Sequence, residues 1–146
     1  MRTIKFRGKN TNKNEWVNGD LVVVEDGMHN VVRAKIITHC FTKSFQGGDF
    51  DHYSISTLVK PESIGQFTGL RDKNGNEIYE GDVIRGKYHT THLIQYNEKE
   101  ASFFAYSLPI SEFSFRGHFY QDWINEFDKV VIGNIHDNPE LLKNND

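Results

Sequence analysis

The chain has 146 residues, enough for one domain or two small intertwined ones around a real core. Its formal net charge of -3 lacks the electrostatic footprint of a general nucleic-acid binder. The single cysteine, Cys40, excludes an intrachain disulfide and suits a reducing compartment, and no apolar run is long enough to span a bilayer.

The first eight residues alternate, with Ile4 and Phe6 on one face and Thr3, Lys5 and Arg7 on the other, which predicts a half-buried strand. Lys9 to Asn14 is a polar turn. Glu15-Trp16-Val17 restarts apolar character, Asn18-Gly19-Asp20 reads as a second turn, and Leu21 to Val24 as a β-branched strand. Asp26-Gly27 marks a hairpin turn, followed by a strand over Asn30 to Thr38. His39 to Asp51, with Gly47-Gly48, reads as a loop or hairpin tip. Tyr53, Ile55 and Thr57 alternate into Leu58-Val59, and Pro61 ends that strand.

Ser63 to Arg85 holds the densest turn chemistry. Ile64, Gly65 and Phe67 open a strand that Gly69 breaks. Asn74-Gly75 is a strong hairpin signal, since both residues tolerate positive φ. Ile78-Tyr79 resumes the strand, Glu80-Gly81-Asp82 turns, and Val83-Ile84 opens another. His92 to Tyr96 and Ser102 to Leu108 form a further hairpin around Asn97 to Glu100, a rhythm like that of an SH3-like barrel. Phe119, Trp123 and Phe127 are spaced by four, as are Tyr120 and Ile124, which predicts one short helix over Gly117 to Phe127. Lys129 to Ile135 is a strand containing Gly133. Asn138-Pro139-Glu140 reads as cap, first-turn proline and first-turn acid of a terminal helical turn through Leu142.

The opening echoes the centre. Phe6-Arg7-Gly8 matches Phe67-Thr68-Gly69, Asn14-Glu15-Trp16 matches Asn76-Glu77-Ile78, and Gly19-Asp20-Leu21-Val22 matches Gly81-Asp82-Val83-Ile84. A repeated strand–turn–strand–turn–strand unit would produce this match; so would turn chemistry common to all hairpins. The organisation expected is a single domain over 1–146, divisible into β subdomains at about 1–62 and 63–142.

Three strings carry a resemblance: IGQFTGLRDKNGNEIYEGDVI (Ile64 to Ile84), VIGNIHDNPELL (Val131 to Leu142) and IKFRG (Ile4 to Gly8). Together they resemble the YopX-like family of phage and prophage proteins. The resemblance implies a phage or prophage context in the cytoplasm of a bacterial host. It brings no activity and no catalytic residues. The family-motif positions are Ile64, Gly65, Phe67, Gly69, Asn74, Gly75, Gly81, Asp82, Gly133 and Pro139.

Candidate chemistry is sparse. His89 and His92 are three apart, a spacing that separates them on a strand. His39-Cys40 lacks the second cysteine pair of a zinc site, and no motif marks Cys40 as a nucleophile. Asp72, Glu77, Glu80 and Asp82 gather at the central turns, where bonds from carboxylate to backbone account for them. No phosphate-binding glycine loop or cofactor motif is present. Basic and aromatic residues interleave around Arg7, and around Phe113, Phe115 and Arg116, which offers a surface for stacked bases. Phe119 and Trp123 fit core packing or a partner surface.

These observations define a mainly β protein with short antiparallel strands, one short helix and an SH3-like barrel expected in its C-terminal half. The function that fits best is a non-enzymatic interaction or assembly module without a cofactor, a homo-oligomer or a partner of another phage or host protein. A nucleic-acid accessory protein is the first alternative and a metal-assisted hydrolase the second. The candidate interaction residues are Arg7, Arg116, Phe119 and Trp123.

Overall fold

A computed structural model describes residues 3–26, 31–44, 50–109 and 116–143; at 26, 31–32, 40–44 and 50–53 it describes the backbone alone. The chain divides into two compact units, Thr3–Gln66 and Phe67–Asp146.

The first unit is built from β1 (Phe6–Lys9), β2 (Trp16–Asp26), β3 (Val31–Ser44) and β4 (Phe50–Val59). All neighbours are antiparallel, in the order β4-β3-β2-β1. Gly65 and Gln66, the first residues of β5 (Gly65–Arg71), pair with Arg7 and Phe6. Alternation sends Ala34, Ile36 and Val59 to one side, where they form a buried core flanked by Phe6, Val17, Leu21 and Ile64. A 3-10 turn at Pro61–Ser63 follows β4, and the Ser63 hydroxyl accepts from the Lys9 N–H at 2.8 Å.

Two sequence expectations change here. Asn18-Gly19-Asp20 is not a turn: β2 runs through it without a break. A Cβ at position 19 would overlap the Ile37 carbonyl oxygen, so glycine lets β3 approach beside its β-bulge between Ile37 and His39. Of the loop or hairpin tip expected over His39 to Asp51, the hairpin holds and its strands are longer than expected, since β3 reaches Ser44 and β4 begins at Phe50. Backbone pairing across ten matched positions outweighs the polar composition that suggested a loop. The Asp26-Gly27 turn and Gly47-Gly48 fall at or beyond the edge of the described residues.

The second unit holds the rest of β5, then β6 (Glu77–Tyr79), β7 (Asp82–Arg85), β8 (Thr91–Asn97), β9 (Ser102–Ser107), β10 (Arg116–His118), α1 (Gln121–Glu126) and β11 (Val130–Asn134). β5 and β6 pair as a hairpin, and the other strands form a sheet in the order β10-β9-β8-β7-β11. No ladder joins β10 to β11 among the described residues, where the strands form an open sheet. Its core is Ile78, Ile84, Ile94, Ala105, Phe119 and Ile124, with Leu70, Phe103, Trp123 and Val131 packed against it.

The helix is shorter than the sequence predicts. Gly117 pairs with Ala105 in β10, which holds the chain extended until Tyr120. The i, i+4 pattern survives in one contact within the helical turns, Trp123 against Phe127 with centroids 6.2 Å apart. At the C-terminal end Pro139–Leu142 forms a 3-10 turn. The Asn138 side chain does not cap it, and accepts instead from the Asn134 N–H at 3.4 Å.

Candidate functional site

The central hairpin is organised by one carboxylate. Asp72 is 4% exposed. Its Oδ1 accepts from the N–H groups of Asn74 and Asn76, both at 2.9 Å, and its Oδ2 accepts from Asn76 Nδ2 at 3.0 Å and the Val131 N–H at 3.1 Å. The turn closes through the Gly75 N–H to the Asp72 carbonyl at 2.9 Å, and only Gly75 takes positive φ, at 86°. Burial pushes the Asp72 pKa up, but the bonds from Asn76, Val131 and Asn74 together outweigh it and hold the carboxyl below its ordinary value. The turn also docks the segment ahead of β11. The Lys73 N–H donates to the Lys129 carbonyl at 2.9 Å, and Lys73 Nζ pairs with Asp128 at 2.6 Å. A carboxylate saturated with donors is an anchor and a poor proton acceptor.

That docked segment carries Lys129 into the interior, where the side chain is 1% exposed. Its Nζ donates to Thr90 Oγ1 at 2.9 Å, lies 3.4 Å from His92 Nδ1 and sits 4.5 Å from the centroid of the Trp123 ring. No carboxylate is among these partners. Burial lowers the Lys129 pKa to about 8. Burial, then the nearby ammonium, lowers that of His92 to about 4. His92 meets Trp123 edge-on, with centroids 5.3 Å apart.

The residues singled out from sequence are distributed between both units. Ile64 and Gly65 serve the first unit, Ile64 against its core and Gly65 opposite Arg7. In the second, Phe67 lies against Tyr79 with centroids 5.5 Å apart, and β5 passes through Gly69 without stopping. Asn74 and Gly75 form the turn above. The Gly81 N–H donates to the Ile94 carbonyl at 2.8 Å, and Asp82 Oδ2 accepts from the Tyr79 N–H at 2.7 Å. Gly133 lies where a Cβ would overlap the Asn138 side chain, and Pro139 starts the last turn.

Of the candidate interaction residues, Phe119 and Trp123 pack in the second core. Arg116 Nη2 pairs with Glu100 at 2.6 Å, and its guanidinium lies 5.0 Å from the Phe104 centroid. Arg7 belongs to the first unit and stacks 4.6 Å from the Trp16 centroid. Phe113 and Phe115 lie outside the described residues. Among the described residues no group of three His, Cys, Asp or Glu is placed to hold one ion.

A surface that sequence reading missed lies on the first unit. Val23 and Val24 of β2 are 48% and 49% exposed, and Ile55 and Leu58 of β4 are 53% and 46% exposed. Leu58 and Val22 both stand opposite Lys35, in one row across the sheet. Val23 and Ile55 lie on the other face, the one that carries the core, with Val23 directly opposite Ala34 and Ile55 four residues before Val59. β4 is an edge strand whose outer side meets β1 only at its end. There Asn10 bridges Val59, and the Thr11 N–H donates to the Leu58 carbonyl at 3.1 Å. The run of valines was legible as a strand, but nothing local says that its side chains stay about half exposed.

The fold and these sites define a mainly antiparallel β protein that buries Asp72 and Lys129 among hydrogen-bond partners and exposes apolar side chains on both faces of long strands. The chain belongs to the YopX protein family, which matches over residues 5–143. It is similar in structure to protein EF1440 from Enterococcus faecalis, solved by crystallography, with a TM-score of 0.68 and 31% identity over 98% of this chain and 100% of that one. A search of curated proteins finds no match. No helix among the described residues is long and apolar enough to cross a membrane.

Proposed function

We propose that this chain is a non-enzymatic interaction module of phage or prophage origin that self-associates in the cytoplasm of a bacterial host. The observation that carries the reading is apolar exposure on both faces of the β2–β4 sheet, Val24 and Leu58 on one and Val23 and Ile55 on the other, all about half exposed. Apolar exposure on a sheet face favours association, which would cover it. The buried ionisable groups support the same reading. Asp72 is saturated by donors and Lys129 is sealed from solvent, so both serve the fold.

Light scattering coupled to size exclusion, run over a range of protein concentrations, tests the proposal. A defined oligomer with a protein-like ultraviolet ratio is expected. A monomer at every concentration refutes self-association. A high nucleic-acid ratio that collapses in salt moves the function to a nucleic-acid partner.

A further inference from the structure

We infer that the face of β3 bearing Arg33 and Lys35 docks onto α1 of a second copy of this chain, where Asp122 and Glu126 receive the two cations. The inference rests on the self-association proposed above and names its two surfaces. Arg33 stands directly opposite Val24, and Lys35 stands opposite both Val22 and Leu58. Residues opposite each other on neighbouring strands share a face, so two cations lie among three apolar side chains. Ala34 and Ile36 alternate with them and belong to the core, so this face is turned away from it. All five side chains are exposed, Val22, Val24 and Leu58 at 38%, 49% and 46%. Neither Arg33 nor Lys35 has a hydrogen bond or ion pair among the described residues. Asp20, on the same face, lies a row further on, opposite Ile37. Two cations on an apolar face are matched by a partner that brings carboxylates and apolar surface together.

The chain carries such a surface itself. Its charge is divided along its length: residues 1–66 hold nine Lys and Arg against seven Asp and Glu, whereas residues 67–146 hold eight against thirteen. In the acidic half Glu77, Glu100 and Asp128 are taken by ion pairs with Arg71, Arg116 and Lys73. The carboxylates of Asp122 and Glu126 have no hydrogen bond or ion pair among the described residues, and Lys87 Nζ bonds the Glu126 carbonyl instead. α1 buries Ile124 and packs Trp123 against the core, which leaves Asp122 and Glu126 exposed. Tyr120, just ahead of it, is 57% exposed. The spacings agree. Four residues on a helix set Asp122 and Glu126 on one side, about 6 Å apart along the axis. Two residues on a strand set Arg33 and Lys35 about 6–7 Å apart. The Tyr120 ring then covers part of the Val22, Val24 and Leu58 surface, which a phosphate backbone meeting the cations alone would leave in water.

Charge reversal tests the pairing. Arg33→Glu with Lys35→Glu makes both surfaces acidic, and Asp122→Lys with Glu126→Lys makes both basic. Each double variant is expected to weaken self-association by about tenfold or more in concentration-dependent light scattering, with unchanged circular dichroism. Mixed one to one, the two variants again present opposite charges and are expected to associate as wild type does. The variant carrying all four changes is expected to do the same. Lys35→Glu and Asp122→Lys alone carry the mixing test if a double variant loses its fold. Wild-type association by both double variants overturns the pairing while leaving self-association standing, and so does a mixture that fails to associate. Loss confined to the Arg33 and Lys35 changes, with or without a nucleic-acid ultraviolet ratio, gives the face to another anionic partner and overturns the α1 contact. A wild-type chain that is monomeric throughout overturns both the contact and self-association.

Discussion

Replacing Asp72 by alanine removes the carboxylate that ties the central hairpin to β11 at Val131. Four donors lose their acceptor: the N–H groups of Asn74, Asn76 and Val131, and Asn76 Nδ2. Asn74 and Asn76 are exposed, so water replaces much of what they lose. The Val131 N–H is partly buried, and stranding such a donor costs about 1–3 kcal/mol. The turn contributes about 1 kcal/mol more, giving roughly 3 kcal/mol in all. With a urea m-value of about 1.5 kcal/mol/M, the midpoint should fall by about 2 M. Trp123 packs against the second core, so its fluorescence in a Trp16→Phe background reports this unit alone. The pH dependence provides a second readout. The folded pKa of Asp72 lies below its unfolded value, so its stabilisation is present above about pH 4 and is lost as pH falls through the folded pKa. The variant should lose less stability than wild type over that acid range. A midpoint shift below about 0.3 M with an unchanged acid profile would refute the anchor assignment.

The buried pair should make the second unit more stable as pH rises, in two windows. His92 has a folded pKa near 4 against 6.5 and Lys129 near 8 against 10.5, so the unfolded chain binds the extra proton in each window. Stability should climb from about pH 4 to 6.5 and again from about 8 to 10.5, each by at most about 3 kcal/mol, as melting temperature against pH would show. Lys129→Met should abolish the upper climb and leave stability at neutral pH equal or higher, because no acid partner is stranded. Gly19→Ala and Gly75→Ala should separate sharply. The first drives a methyl into the Ile37 carbonyl and should cost more than about 3 kcal/mol; the second meets no atom within 4 Å and should cost about 1 kcal/mol for its positive φ. Chemical denaturation of both variants checks the order.

The β character of the chain was legible because turn residues and alternation agree over most of its length. Asn74-Gly75, Glu80-Gly81 and Asn97 to Glu100 each separate strands as the sequence predicts. What failed was non-local. The aromatic spacing of four predicted helix from Gly117, but pairing with Ala105 keeps that residue extended. Gly19 looked like a turn because its reason for being glycine is the Ile37 carbonyl on another strand. Lys129 gave no signal, since a lysine beside Asp128 reads as a solvated strand end. Its burial depends on Trp123 across the end of α1 and on Thr90, which the sequence places far from it.

The echo between the two halves gains a physical basis at one pair of positions. Asn10 stands just after β1 as Asp72 stands just after β5. Asn10 Oδ1 accepts from the N–H groups of Asn12 and Lys13 at 2.8 and 3.2 Å, as Asp72 Oδ1 does from Asn74 and Asn76. Both residues also donate their own N–H across the turn at 2.8 Å, Asn10 to the Glu15 carbonyl and Asp72 to that of Asn76. Each hairpin is thus closed by an acceptor side chain folding back on its own turn, the usual role of Asn and Asp there. The halves part at the next glycine. Gly81 takes φ of 83° and separates β6 from β7, and Asp82 behind it is buried on the Tyr79 N–H. Gly19 lies within a continuous strand, and Asp20 behind it is exposed. The same Gly-Asp pair bends one half into a short hairpin backed by a packed core. In the other it lies within a strand that runs on, with Val23 opposite Ala34 on the core side and Val24 turned to the opposite side.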